Sequence, residues 1–279
     1  MKTKSFLAAM MAAALSFNFM ACSDDDEPNG GNGGGSGSGD ATKRLTRIYV
    51  QAEWDTNNET VFQYDSEGRV TEMDITYDHH SSGDTWTDYY TYSYNGNEVT
   101  VDVDYAGDGP EYREQESSTY ALNDNGYVTN GVKTTNSGRE IQYTFNYTND
   151  YLVSAAIIQE NENTSDNISN QIISDGLILP DEWDTIEYTD ISNKANFFFH
   201  YSGEYDIFDF STFEYGELYF ANLAGKAPIY LPQKVKDRSG NEYNYSYELD
   251  NEGYVTEMTI THSKGEQPTI ITCTYEDIH

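Results

Sequence analysis

The sequence predicts an all-β fold: an antiparallel up-and-down meander, strongly curved or barrel-like, with one short helix near residues 212–224. Three observations predict it. Val99-Thr-Val101-Asp-Val103-Asp-Tyr105 and Met73-Asp-Ile75-Thr-Tyr77 alternate apolar and polar residues, as half-buried strands do. The chain carries 25 Tyr and 12 Phe, an aromatic content suited to pleated surfaces. A degenerate hairpin unit recurs along it. Phe62-Gln-Tyr64-Asp65-Ser-Glu-Gly68-Arg-Val70-Thr71 and Tyr247-Glu-Leu249-Asp250-Asn-Glu-Gly253-Tyr-Val255-Thr256 are its clearest copies. Tyr120-Ala-Leu122-Asn-Asp124-Asn-Gly126-Tyr-Val128 is a third, and Phe145-Asn-Tyr147-Thr-Asn-Asp150-Tyr151 a fourth without the glycine. Tyr92-Ser-Tyr94-Asn-Gly96 reads as a related hairpin.

Each unit ends one strand on aromatic-x-aromatic, turns on Asp or Asn with Gly, and returns on Val-Thr. A single hairpin cannot bury its apolar face, so successive hairpins must pair into one sheet. The two best copies lie at opposite ends of the folded part, which suits a sheet whose first and last strands approach each other. Residues from about 161 to 232 interrupt the repeat. Ser211-Thr-Phe-Glu214 is a capping box and Gly225-Lys226 a helix stop, which place a helix at 212–224 that plugs the sheet. Pro228 and Pro232 mark the return to strands.

Ahead of these elements stands a leader. Lys2 and Lys4 precede an apolar run from Phe6 to Met20, a secretory signal too short for a membrane span of about 20 residues. Phe19-Met20-Ala21-Cys22 resembles a lipobox, which implies cleavage before Cys22 and lipid attachment to it. Ser23-Asp24-Asp25-Asp26-Glu27 resembles the surface-export signal of Bacteroidota lipoproteins, which implies an outer-membrane protein exposed at the cell surface. The Gly/Ser-rich run up to about Asp40 is a flexible coil with a reach on the order of 20 Å. The expected organisation is a signal peptide over 1–21, a tether over 22–42 and a single β domain over 43–279.

Loss of Lys2 and Lys4 leaves 13 basic against 48 acidic side chains, a formal charge of −35. Such a charge repels phosphate backbones, so no nucleic-acid partner is expected. Cys22 and Cys273 are the two cysteines. Cys273 falls on the apolar face of Ile271-Thr-Cys273-Thr-Tyr275, which reads as a buried, inert thiol outside any disulfide framework.

Two family resemblances follow from these residues. Tyr64-Asp65-x-x-Gly68-Arg69-Val70-Thr71 resembles one YD (Rhs-type) repeat. Over about residues 43–279 the chain resembles a Bacteroidota lipoprotein domain of unknown function described as porin-like in fold. Gly225-Lys-Ala-Pro-Ile-Tyr-Leu-Pro232 and Asp250-Asn-Glu-Gly-Tyr-Val-Thr-Glu-Met258 carry this second resemblance. It implies a β-meander on a lipid anchor and brings no catalytic residues with it. A water-facing sheet is expected in place of a membrane-spanning barrel, because many strands carry Asp, Glu, Asn and Thr on one face.

The motifs of zinc hydrolases, phosphate-binding loops and serine nucleophile elbows do not occur. His79-His80 sits beside Ser81-Ser82-Gly83 and reads as a solvated loop pair. Asp65-Ser-Glu-Gly68 and Asp250-Asn-Glu-Gly253 lack the ligand ladder of a calcium loop and read as hairpin turns. No catalytic residue, metal ligand or cofactor is assigned. Trp54, Trp86 and Trp183 each lie beside acidic or polar residues and are the candidate aromatics for stacking on a ligand, with core packing as the alternative. The expected function is a surface-anchored, non-catalytic binding or structural module, attached to the membrane through Cys22 and binding a glycan or a protein. A carbohydrate hydrolase using paired carboxylates and an accessory lipoprotein docking onto an outer-membrane complex are the alternatives.

Overall fold

The structure is a computed structural model. It describes residues 42–51, 56–105, 114–135, 138–159, 165–168, 173–174, 176–178, 185–196, 216–236, 240–265 and 267–278. The first nine strands are β1 (Lys43–Gln51), β2 (Thr56–Tyr64), β3 (Val70–His79), β4 (Asp84–Asn95), β5 (Glu98–Tyr105), β6 (Glu114–Leu122), β7 (Val128–Thr134), β8 (Glu140–Thr148) and β9 (Tyr151–Gln159). Short strands β10 (Ser165–Ile168), β11 (Ile173–Ser174) and β12 (Leu177–Ile178) follow, then β13 (Thr185–Ser192) and the helix α1 (Gly216–Phe220). The chain finishes with β14 (Tyr230–Lys236), β15 (Glu242–Leu249), β16 (Val255–His262) and β17 (Thr269–Asp277).

Fifteen strands form one antiparallel sheet in the order β10-β9-β8-β7-β6-β5-β4-β3-β2-β1-β17-β16-β15-β14-β13, while β11 and β12 pair by themselves. Every neighbour is a sequence neighbour except at the seam between β1 and β17, which pair from Lys43↔Asp277 to Gln51↔Ile270. The expected meeting of first and last strands therefore happens in the middle of the sheet. Among the described residues the sheet is not closed: β10 and β13 are its edges.

The repeat has a physical basis in one turn, built three times. Asp65 Oδ1 accepts the backbone N–H groups of Glu67 and Arg69 at 2.9 and 3.0 Å. Asn123 Oδ1 accepts those of Asn125 and Tyr127 at 3.0 and 2.9 Å. Asp250 Oδ1 accepts those of Glu252 and Tyr254, both at 2.9 Å. Gly68, Gly126 and Gly253 follow with φ of 81°, 81° and 87°, a region open to glycine at little steric cost. A one-residue register shift at Gln63/Tyr64, Ala121/Leu122 and Glu248/Leu249 accompanies each turn. The fourth copy lacks the glycine and turns on Asn149 and Asp150 at positive φ, residue types that tolerate it. These carboxylates and the Asn123 amide are spent on backbone amides, so the acidic turns are hairpin devices.

One face of the sheet is the core. Val99, Val101 and Val103 alternate with polar Thr100, Asp102 and Asp104, and the same alternation runs through Ile141-Tyr143-Phe145 of β8. The buried residues of both halves form one cluster that includes Leu218, Tyr219, Ala221, Leu223, Ala224 and Ala227 from α1 and the chain after it. Phe220 packs on Phe62 of β2 at 5.9 Å, and the Tyr92 hydroxyl of β4 donates to the Glu217 carbonyl at 3.0 Å. The Tyr120 hydroxyl of β6 donates to the Glu217 carboxylate at 3.0 Å. In a flat sheet β2 and β6 would stand about 19 Å apart, whereas a five-residue helix is about 7.5 Å long. The sheet is therefore curled around α1, which fills its hollow.

The helix ends earlier than Gly225. Asn222 takes φ 57° and Leu223 N–H reaches back to Leu218 O at 2.8 Å, a left-handed cap after one turn of helix. The capping box at 211–214 lies outside the described residues. Pro232 lies inside β14, opposite Tyr188 at a register shift, where a strand tolerates a missing N–H.

The outer face is polar. Exposed Val61 is flanked across the strands by Arg47 and Asp74, and exposed Tyr89 by Asp74 and Asp104. Among the described residues, the outward faces of these strands carry no continuous apolar band of the kind hydrocarbon requires. No described helix is long and apolar enough to cross a membrane. Cys273 is free and buried, and burial pushes its thiol up to about 12.

Candidate functional site

After α1 the chain from Ala221 to Ile229 runs as an irregular strap across the end of the sheet where the repeated turns lie. Gly225 at φ 95° lets it pass against the β8–β9 turn: a Cβ there would stand 2.6 Å from Asp150 O and 2.9 Å from the Tyr147 ring. Leu223 O accepts from Val128 N–H at 2.9 Å and Lys226 N–H donates to Asp150 O at 2.8 Å. Ile229 N–H donates to Gly176 O at 2.8 Å, and Ile229 O accepts from Asn193 N–H at 2.9 Å. The buried Asn193 amide donates to Pro228 O at 2.9 Å, while Asn196 Oδ1 accepts Ala227 N–H at 2.7 Å. The strap is thus bonded to β7 and the β8–β9 turn on one side and to the residues after β13 on the other. It joins the two halves of the sheet without strand pairing.

Beside the strap lies a cavity of about 520 Å³, within the range of small-ligand sites. Its walls include Tyr151, Asn193, Lys194, Lys226, Glu252 and Tyr254, with Ala227, Pro228 and Ile229 supplying apolar surface. Thr42, the first described residue, also lines it. Lys226 is neutralised by Asp150 at 2.8 Å, and the ammonium holds that carboxyl below the usual range. Glu252 is neutralised by Lys43 at 2.7 Å, which also bonds Asp250 at 2.7 Å and lowers the latter's carboxyl to about 2. Lys194 donates to the Glu252 backbone carbonyl and stands 5.9 Å over the Tyr254 ring. Among the described residues it has no carboxylate partner.

The hollow of the sheet holds a second polar group of residues around α1. Burial raises the Glu217 carboxyl above its ordinary value, opposed by the Lys133 ammonium and the Tyr120 hydroxyl. Glu116 is tied to Lys133 at 2.5 Å. Asp88 and Ser118 are buried nearby, and Tyr90 and Tyr92 line the same interior with hydroxyls held protonated by burial. The arrangement fixes α1 through tyrosine hydroxyls; it pairs Glu217 and Glu116 with donors already present in the fold.

Residues 62–257 match the family described as a domain of unknown function (DUF4595) with porin-like fold. The chain belongs to this family. A porin-like protein from Bacteroides uniformis, known from a crystal structure, is similar over 83% of this chain and 96% of its own, with a TM-score of 0.56 at 18% identity. That likeness extends the family's fold to most of the chain and carries nothing further. A porin-like protein from Bacteroides vulgatus matches at 12% identity over 84% of this chain and 99% of its own, with a TM-score of 0.29, too low to support an argument. No curated protein matches.

Of the sequence-predicted site residues, Trp86 alone falls among the described residues. Trp86 is on β4, on the face that carries the core, stacked on Tyr77 at 5.7 Å and on His79 at 4.8 Å. His79 closes β3 and His80 opens the exposed turn after it. Cys22, Trp54 and Trp183 lie outside the described residues. The structure brings together a different set, and sequence reasoning passed over it. Lys226 and Ile229 stand inside the Gly225–Pro232 motif that carried the family resemblance, and Tyr151 and Tyr254 occupy turn positions of the repeat. Lys194 carried no signal, because its neighbours in the cavity wall, Glu252 and Tyr254, are 58 and 60 positions away in sequence.

Proposed function

We propose that this protein is a non-catalytic binding module, tethered through a lipidated Cys22 to the outer face of the outer membrane. The observation that carries the reading is the cavity beside the strap. It is of ligand size, is framed by five separate parts of the chain, and has lining amides that are already held by backbone groups. The occupied hollow of the sheet supports binding at this end in place of passage through the sheet. The scattered outer-face apolar residues favour this reading over docking onto a larger complex.

Two measurements test it. Mass spectrometry of the native product is expected to show a mature terminus at Cys22 carrying acyl chains; an unmodified Cys22 overturns the anchor. A glycan and peptide array probed with the mature protein is expected to give binding that Tyr151→Ala abolishes without loss of fold. Turnover of a bound glycan, or binding indifferent to cavity substitutions, overturns the binding-module reading.

A further inference from the structure

The ligand class of the strap cavity follows from two side chains that the fold leaves unused. Three charged residues line the cavity: Lys194, Lys226 and Glu252. Lys226 is paired with Asp150 and Glu252 with Lys43, each at 2.8 Å or less, and Lys43 is shared with Asp250 at 2.7 Å. Among the described residues Lys194 alone of the three stands in no ion pair; it is exposed, held by one backbone carbonyl and the face of Tyr254, with donor capacity to spare. The ring of Tyr151 is half-buried, and among the described residues it makes no ring contact and its hydroxyl no hydrogen bond. That hydroxyl points to the narrow gap at Gly176, 3.1 Å from where a Cβ would stand. The cavity thus offers the open part of a tyrosine ring whose other part packs against the core, and one ammonium outside any ion pair.

Resting on the binding-module reading, we infer that the strap cavity binds a saccharide bearing a carboxylate, its ring against Tyr151 and its carboxylate on Lys194. The stacking surface suits a pyranose, whose C–H face is apolar while its hydroxyls need donors and acceptors at the rim. Ser192 and the Lys226 ammonium, which line the same cavity, serve those hydroxyls. The ammonium, at the exposed mouth of the cavity, favours a carboxylate over a neutral hydroxymethyl group at that position. A cationic ligand is disfavoured because the one lining carboxylate, Glu252, is already bound by Lys43 and by the Thr42 hydroxyl at 3.0 Å.

The test uses the mature full-length protein and two probes that differ only at C6, D-galacturonate and D-galactose, followed by NMR titration of backbone amides. Galacturonate is expected to shift the amides of Asn193, Lys194 and Lys226 saturably, with galactose at least tenfold weaker. Lys194→Met is expected to weaken galacturonate about tenfold and leave galactose unchanged. Lys264→Met, an exposed lysine in the β16–β17 turn, is expected to change neither. Equal binding of the two sugars at these amides overturns the carboxylate inference and leaves the binding module standing. Saturation of neither probe, or Lys194→Met without effect on galacturonate, overturns the inference. If in addition no array ligand depends on Tyr151, the binding-module reading falls with it.

Discussion

The three glycine turns and the strap use the same hydrogen-bonding groups in opposite ways. At Asp65, Asn123 and Asp250 the side chain bonds amides two and four residues ahead, so the whole device lies within five residues. Beyond the local Leu223–Leu218 cap, the backbone partners that tie Ala221–Ile229 to the sheet come from far along the chain: Val128, Asp150, Gly176 and Asn193. The turns are local and repeat; the strap is global and occurs once. A local device fails alone when it is broken, whereas a global one takes the joined halves of the sheet with it.

Substitutions sharpen that contrast. The largest effect is expected at Leu218, fully buried where α1 fills the sheet. Leu218→Ala should cost about 3 kcal/mol in urea unfolding, and a loss below about 1 kcal/mol would mean the helix is not part of the cooperative core. Next comes a pair of glycines, both at positive φ. Gly225→Ala drives a Cβ into Asp150 O and should cost about 2–3 kcal/mol, while Gly68→Ala meets nothing within 4 Å and should cost about 1 kcal/mol. Equal costs would break the distinction between strap and turn.

Smaller effects concern protonation. Glu217 has a raised carboxyl in the fold, so the folded state binds the proton more tightly than the unfolded chain does. Its contribution is full below pH 4.5 and is lost as pH rises through the raised value. Glu217→Gln keeps an acceptor for Tyr120, and it should raise thermal stability at pH 7 and flatten the decline above pH 4.5. An unchanged profile would show that the carboxyl is solvated. The smallest effect has the opposite sign. Asp250 is lowered from 3.8 to about 2, so its contribution is present above pH 3.8 and fades as pH falls toward 2. Asp250→Asn should leave the turn intact and flatten only that acid limb, which calorimetry between pH 2 and 5 would detect.

The same contrast explains what could be read from the amino acids. The hairpins were legible because Asp65, Asn123 and Asp250 act on near neighbours and because Val99–Tyr105 shows its two faces by alternation. The meander and the approach of its first and last strands followed from the repeat. The end of α1 did not, because Asn222 caps it in the left-handed region where Gly225 was the expected stop. Gly225 serves instead for clearance from Asp150, a neighbour 75 positions earlier in the chain. The cavity was hidden for the same reason: Lys226 meets Asp150, and Lys194 meets Tyr254 and Glu252, only after the strap has crossed the sheet. Of the polar neighbours that made Trp86 a candidate, Thr85 and Thr87 face the other side of β4, while Asp88 shares its face.

The seam between β1 and β17 sets the order in which the molecule can be completed. Each neighbouring hairpin can assemble as soon as its second strand is made, but β1 has a bonding edge that stays bare until residues Thr269–Asp277 arrive. For a chain delivered amino end first, the central ladder is among the last to zip, together with β16–β17 and long after the hairpins from β1 to β9 have had time to form. Until then the earliest strand to emerge is also the one most open to pairing with a stranger. The basic residues that face β17 and β2 from β1, Arg44 with Glu276 and Arg47 with Glu59, place charge along that waiting edge.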